Sequence, residues 1–359
     1  MNITTYKQVV KELSPAKKSI LALGRPGCGK SEAVEQMREE MGLEGFIDLR
    51  LGLRDPSEIK GVIGIDPVEK ISFQTLPDYF PQNQKTGILH LDELPQAPAL
   101  VQSAGYQLFQ ERRIGKFKLP DGWIIIASGN RKVDGGVHFK IPPALVNRLI
   151  VLNIEASFDE WLNHAISKCV SPDVTGFHKF TNGKYLYHED PNANSNINVA
   201  SFCTPRSWFS VDNILESDYI STDYNLLREV LQGTLSQEAA GKFVDYFKIA
   251  SNAMDYDTID SGNFSDNDVN SMPSEALYST LTYMQTYAEC LSLKEIKYSE
   301  GVIKFISMVN DPVLKSLLYN TLNSSSKNTK KLITPNGKDD KSFIEKIIKD
   351  ISPIISKTN

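Results

Sequence analysis

The sequence predicts an α/β fold, a parallel sheet sandwiched by helices, followed by two α-helical domains. Three observations carry that expectation. Over residues 19–156 short apolar runs alternate with helical stretches, each run ending in a polar or glycine-rich turn, as parallel α/β units do. Beyond residue 156 the strand signals fade and amphipathic stretches of helical length take over. The chain has 359 residues, 41% hydrophobic and 23% charged, which suits two or three packed units and excludes a wholly disordered, collagen-like or coiled-coil protein.

Four strands are expected at residues 20–23, 45–51, 87–92 and 123–128, with their loops at the carboxyl edge, where α/β sheets place ligands. Residues 61–79 and 113–123, the latter with a Pro120-Asp121-Gly122 turn, read as inserted hairpins. Phe73, Tyr79 and Phe80 in and after the first insert read as packing residues. Helices follow at 159–168, 207–215 and 238–247. Residues 254–274 are rich in Asp, Asn and Ser and lack Lys and Arg, the composition of an acidic linker or loop. Next, Leu277, Leu281, Met284, Ala288 and Leu291 share one helical face, and Asp311-Pro312 supplies an N-cap and a first residue for another helix. Residues 320–340 read as flexible, and Ser342 to Glu345 form a capping box ahead of Ile344, Ile347, Ile348 and Ile351. The domains so drawn are 1–156, 157–253, the linker 254–274, and a helical tail 275–359.

With 39 Lys and Arg against 44 Asp and Glu, the formal net charge is −5, which lacks the footprint of a dedicated nucleic-acid binder. Four separated cysteines (Cys28, Cys169, Cys203, Cys290) suggest neither a zinc site nor a disulfide framework, and reduced thiols fit a cytoplasmic protein. The first residues carry charges where a signal peptide needs its apolar run, and no run approaches the roughly 18 residues of a membrane span.

Residues Gly24, Arg25, Pro26, Gly27, Cys28, Gly29, Lys30 and Ser31 spell GRPGCGKS, the G-x-x-x-x-G-K-S phosphate loop, between an apolar strand and a helix. Glycines let backbone N–H groups converge on phosphates, Lys30 adds a mobile charge, Ser31 can ligate Mg²⁺, and the helix start favours the anion. The strand ILHLDE delivers Asp92 and Glu93 to the same sheet edge. Asp92 would hold the Mg²⁺ hydration shell and Glu93 would orient and deprotonate an attacking water. Two solvated strand-end acids would explain the pair by itself, but not the pair joined to the phosphate loop at this spacing. Asn130 ends the next strand and can reach a γ-phosphate or the lytic water, although an Asn beside Gly is more often just a turn. Arg148 follows IPPALVN, and Arg206 stands behind Thr204 and Pro205, an N-cap and first helical residue. Both guanidinium groups suit a γ-phosphate, and both are equally compatible with ordinary solvated arginines. Asn130, Lys132 and Asp134 miss the guanine-reading N-K-x-D spacing by one residue, which favours ATP over GTP.

Taken in order, GRPGCGKS, ILHLDE, the strand ending in Asn130, PPALVNRL and TPRSW closely resemble an AAA+ ATPase, and within that class the MoxR type, over residues 19–250. The two hairpins sit where that branch places its inserts. The resemblance implies an AAA+ core with a helical lid, Walker A at Lys30 and Ser31, Walker B at Asp92 and Glu93, and sensor 1 at Asn130. It further implies an arginine finger at Arg148, acting on the neighbouring subunit's nucleotide, and sensor 2 at Arg206. Such ATPases form rings, usually hexamers, and many act as chaperone-like remodellers beside a partner with a von Willebrand A domain. ATP and Mg²⁺ are the implied cofactors. The long Asn-rich stretch 168–203 and the tail depart from the compact family pattern.

Two other readings stay open. A nucleic-acid-handling ATPase, clamp-loader-like or helicase-loader-like, rests on the tail, where twelve Lys stand against nine acids from residue 275 onward without one Arg. A ring that binds ATP only for stability is the other; an intact Glu93 and Asn130 speak against it.

Overall fold

The protein is described by a computed structural model covering residues 1–81, 83–135, 137–189, 201–290, 297–324 and 327–333. It divides into two compact units, Met1–Glu160 and Trp161–Asn359.

The first unit is built on a five-stranded parallel sheet. Its strands are β1 (Ser19–Gly24), β2 (Gly45–Arg50), β5 (Thr86–Asp92), β8 (Gly122–Gly129) and β9 (Leu149–Ile154), in the order β2-β5-β8-β1-β9. Two hairpins make up the remaining strands, β3 (Ile63–Asp66) with β4 (Ile71–Gln74) and β6 (Arg113–Ile114) with β7 (Phe117–Lys118), where the inserts are expected. The fifth strand, β9, is absent from the sequence reading. It carries the apolar run Leu149 to Leu152 that suits a strand of a parallel sheet, and it pairs only with β1 at the sheet edge, exposing Val151 and Asn153.

Apolar side chains of alternate residues line one sheet face. Leu49, Leu89, Leu91, Ile125 and Ala127 are buried there with Val101, Leu108, Phe109 and Trp123. The helix Lys30–Glu40 starts directly behind Gly29, which takes φ 88, a conformation that suits glycine. Of the three aromatics read as packing residues, Phe80 is buried and Tyr79 half-buried, its hydroxyl donating to the Ile59 carbonyl at 2.8 Å. Phe73 is instead 45% exposed and lies across its register partner Gly64, in a hairpin that also shows Ile63, Ile65 and Ile71 to solvent.

The second unit is helical throughout its described residues, apart from an isolated antiparallel bridge between His188 and Cys203. An aromatic group forms its centre: Phe177, Trp208 and Phe243 are fully buried, and the His178 ring meets Trp161 and Trp208 edge-on at 4.6 and 4.3 Å. Pro172–Phe180 and Ser274–Cys290 pack together, and Ser279 donates to Asp173 across them at 3.2 Å.

The expected acidic linker is corrected here. Residues 254–274 contain the helices Tyr256–Ser261 and Asp266–Asn270, whose Ile259 and Val269 are buried with Phe264 against Val302, Phe305 and Ile306. Its acids serve as caps and solvent-facing residues: Asp255 accepts from the Thr258 N–H, and Ser265 forms a capping box with Asp268. Sparse apolar residues at helical spacing thus outweigh the acidic composition. Within the stretch expected to be flexible, the described residues up to 333 are helical, in Pro312–Ser324 and Lys327–Ile333, with Leu322, Leu332 and Ile333 buried. The capping box at Ser342 and the isoleucines behind it lie outside the described residues. Cys28 and Cys203 are buried thiols outside any disulfide, but Cys169 is disulfide-bonded. That bond overturns the expectation of four free thiols and removes the support they would give to a reducing compartment. Among the described residues, no helix is long and apolar enough to cross a membrane.

Candidate functional site

The phosphate loop runs from the end of β1 into the helix Lys30–Glu40. Gly27 and Gly29 take φ 71 and 88, turning the backbone where a side chain would be strained. Gly24 is close-packed as well, since a Cβ there would stand 2.6 Å from the Ile154 carbonyl oxygen. Lys30 folds back over its loop and donates to the carbonyls of Gly24 and Arg25, each at 2.9 Å, with Asn130 Oδ1 3.4 Å from Nζ. Burial draws the Lys30 ammonium below its ordinary value, opposed by nearby Cys28 and Asp92. Cys28 itself is buried, and Arg25 points outward and approaches Asp134 at 3.8 Å. Asp134 is clamped by Arg131, which ties the loop after β8 to the phosphate loop.

Asp92 emerges from β5, which is separated from β1 by β8. Its Oδ2 accepts from the Ser31 hydroxyl at 2.9 Å, and its Oδ1 accepts from the Glu93 N–H at 2.9 Å and from Ser128. Burial raises the Asp92 carboxyl, but those bonds together with neighbouring His90 outweigh it and hold the group below the usual carboxylate range. Glu93 is half-buried and takes φ 61, a left-handed conformation that a non-glycine residue adopts only where its surroundings impose it. Its carboxylate lies against Gly52, where a Cβ would come within 2.9 Å of Oε2.

Lys30 thus meets Asn130 and its chain neighbour Ser31 meets Asp92, with Glu93 following Asp92 in the chain. Within the first unit, Arg148 is held by other partners. Arg148 bonds Gln110 at 2.6 Å and the Ala144 carbonyl and stacks over Tyr106. Arg206 is exposed in the second unit, on a helix whose Thr204 cap and Pro205 start are formed as expected. Three residues with no place in the sequence reading also belong to the site: Asp48, His90 and Ser128, which connect to Asp92 through hydrogen bonds. Each is a polar residue within a largely apolar strand of a parallel sheet, a signal that does not say which cross-strand neighbour it meets.

The donor set fits a hard divalent cation. Ser31 and Asp92 offer oxygens, the ligand type of Mg²⁺, next to a glycine loop whose N–H groups and lysine suit phosphate. Asp48, His90 and Asp92 also lie close enough together to suggest a second metal site. Both His90 nitrogens are, however, within hydrogen-bond distance of protein partners, so the group reads as a hydrogen-bonded chain.

No family model and no curated protein matches the chain. Solved structures resemble it distantly. A provisionally designated ATPase from Cytophaga hutchinsonii is 14% identical with a TM-score of 0.34, over 97% of this chain and 88% of that one. NtrX from Brucella abortus, in complex with ADP, is 15% identical with a TM-score of 0.37, over 89% and 67%. A DNA polymerase III gamma subunit-related protein from Thermotoga maritima is 11% identical with a TM-score of 0.36, over 98% and 99%. Values this low transfer no function, and the case for one rests on the site.

Proposed function

We propose that the chain is a Mg²⁺-dependent ATPase of the AAA+ type. The observation that carries this reading is the 2.9 Å contact between Ser31 at the helix start and Asp92 at the end of β5, since it joins the two motifs that Mg-nucleotide chemistry requires. Each residue then has a role. The loop N–H groups and Lys30 receive the phosphates, Lys30 exchanging the Gly24 and Arg25 carbonyls for phosphate oxygens. Ser31 and Asp92 would hold Mg²⁺, which neutralises charge on the transferring phosphoryl group. Glu93 orients and deprotonates water, and Asn130, beside Lys30, reaches toward the γ-phosphate.

In this reading Arg148 and Arg206 act only when assembly or the lid brings them to a nucleotide. Arg148 is half-buried against Gln110 and Tyr106, and by resemblance it would serve a neighbouring subunit, so a homo-oligomeric ring, a hexamer by resemblance, is part of the proposal. So are a MoxR-type remodelling role and a protein client or adaptor, of which a von Willebrand A domain protein is the kind the resemblance suggests.

The test is Glu93→Gln. It should bind ATP with Mg²⁺ but lose turnover, because metal and phosphate contacts survive while the water loses its base. Unchanged turnover refutes the assignment. The same variant, held in ATP, should trap a protein in a pull-down; nucleic acid in the trap would replace remodelling with nucleic-acid handling.

A further inference from the structure

Three polar side chains cross the central sheet as one connected line. Asp48 on β2 and His90 on β5 are register partners, and Oδ1 of the first lies 2.7 Å from Nδ1 of the second. On the other side of the ring, His90 Nε2 is 2.8 Å from the hydroxyl of Ser128 on β8, which donates to Asp92 Oδ1. His90 and Asp92 are two residues apart and so share a sheet face. His90 and Ser128 are completely buried, whereas the Asp48 side chain is 38% exposed.

Burying an imidazole and a hydroxyl inside strands built of Ile and Leu costs free energy unless their polar atoms are partnered. Here they are, and the line ends on a carboxylate. A carboxylate turns easily about its last torsion, so nothing intrinsic selects which oxygen faces which neighbour. Two donors, Ser128 and the Glu93 N–H, converge on Oδ1 and leave Oδ2 to Ser31.

We propose that Asp48, His90 and Ser128 are positioning residues for Asp92. They form a hydrogen-bonded strut across β2, β5 and β8 that fixes the carboxylate plane with Oδ2 toward Ser31, at the place where Mg²⁺ would be held. The inference rests on the ATPase reading. It adds that the metal-binding geometry is set from neighbouring strands on the same sheet face, by residues that touch neither nucleotide nor metal.

The experiment compares wild type with Ser128→Ala, Asp48→Leu and Asp48→Asn. Binding of a fluorescent ATP analogue is measured in Mg²⁺ and in EDTA, and hydrolysis is followed across a Mg²⁺ titration. Partners that orient a metal ligand are commonly worth tenfold or more in metal affinity. Ser128→Ala and Asp48→Leu should therefore raise the half-saturating Mg²⁺ concentration by about tenfold, while binding in EDTA stays within about twofold. Asp48→Asn keeps an acceptor oxygen for the ring and should lose much less than Asp48→Leu. Unchanged Mg²⁺ dependence in Ser128→Ala overturns the strut, as does an equal loss of binding with and without Mg²⁺, which would mark general damage. Should Ser128→Ala not fold, the partly exposed Asp48 pair decides the matter by the same criteria. A wild type that hydrolyses ATP and is silenced by Glu93→Gln leaves the ATPase reading standing even where the strut fails. Absence of Mg²⁺-dependent nucleotide binding in wild type brings down that reading, and the strut with it.

Discussion

Replacing Gly52 by Ala should slow catalysis without unfolding the protein. The backbone there is not left-handed, so alanine is tolerated conformationally, but its Cβ would lie 2.9 Å from Glu93 Oε2. Ordinary carbon–oxygen contacts start near ~3.3 Å, so the carboxylate must retreat by roughly 0.5 Å. The obstructing atom is the end of a flexible side chain, and re-seating it costs about 1 kcal/mol, an off-rotamer penalty. Stability therefore changes by a few degrees of melting temperature at most, on the order of 2–4 °C. Catalysis is less forgiving, because a misplacement of about 1 Å costs on the order of 100-fold. Half that displacement predicts a fall in kcat of roughly tenfold, with KM for ATP unchanged since Glu93 contacts the water and not the phosphates. Steady-state hydrolysis across ATP concentrations, read beside a thermal melt, measures both quantities. Wild-type kcat in a normally folded Gly52→Ala protein would refute the placement of Glu93 as the base.

Three other outcomes follow from the structure. His178 is fully buried without a hydrogen-bond partner, and burial lowers its imidazole from 6.5 to about 3. Its contribution to stability is complete above pH 6.5 and is lost as pH falls toward 3, by about 3 kcal/mol between pH 7 and pH 4; urea titrations should show His178→Leu losing less over that range than wild type, and equal losses would contradict the burial. Lys179 keeps part of its surface in solvent, but its Nζ is buried and unpartnered, and burial lowers it from 10.5 to about 7. Wild-type stability should then rise with pH between about 7 and 10.5, and Lys179→Met should be the more stable protein at pH 7 by about 4 kcal/mol, a denaturation midpoint that does not increase being the contrary result. Trp208→Ala, which empties the aromatic centre of the second unit, should cost about 3–5 kcal/mol in the same assay, and a loss under about 1 kcal/mol would contradict its packing.

Legibility in the sequence followed locality. The phosphate loop, the Asp92-Glu93 pair, both hairpins and the Thr204-Pro205 helix start were readable because each depends on a few consecutive residues. The acidic stretch 254–274 misled because composition reports average solvation, while Ile259, Phe264 and Val269 alone suffice to anchor two short helices. The edge strand β9 does carry an apolar run, Leu149 to Leu152, but that run by itself does not say that the segment closes the sheet edge beside β1. His90 and Ser128 were visible as letters, but a polar residue in a strand becomes informative only once its cross-strand neighbours are known.

By itself, then, the sequence determined that a phosphate loop and a carboxylate pair would meet at the carboxyl edge of a parallel sheet, since strand polarity and turn chemistry are local properties of the chain. Only the tertiary structure decided which oxygen of Asp92 faces Ser31, what holds Glu93 beside Gly52, and that Asp48, His90 and Ser128 are linked to the site. Those facts depend on register between strands distant in sequence, where a shift of one residue would turn each of these side chains to the opposite face.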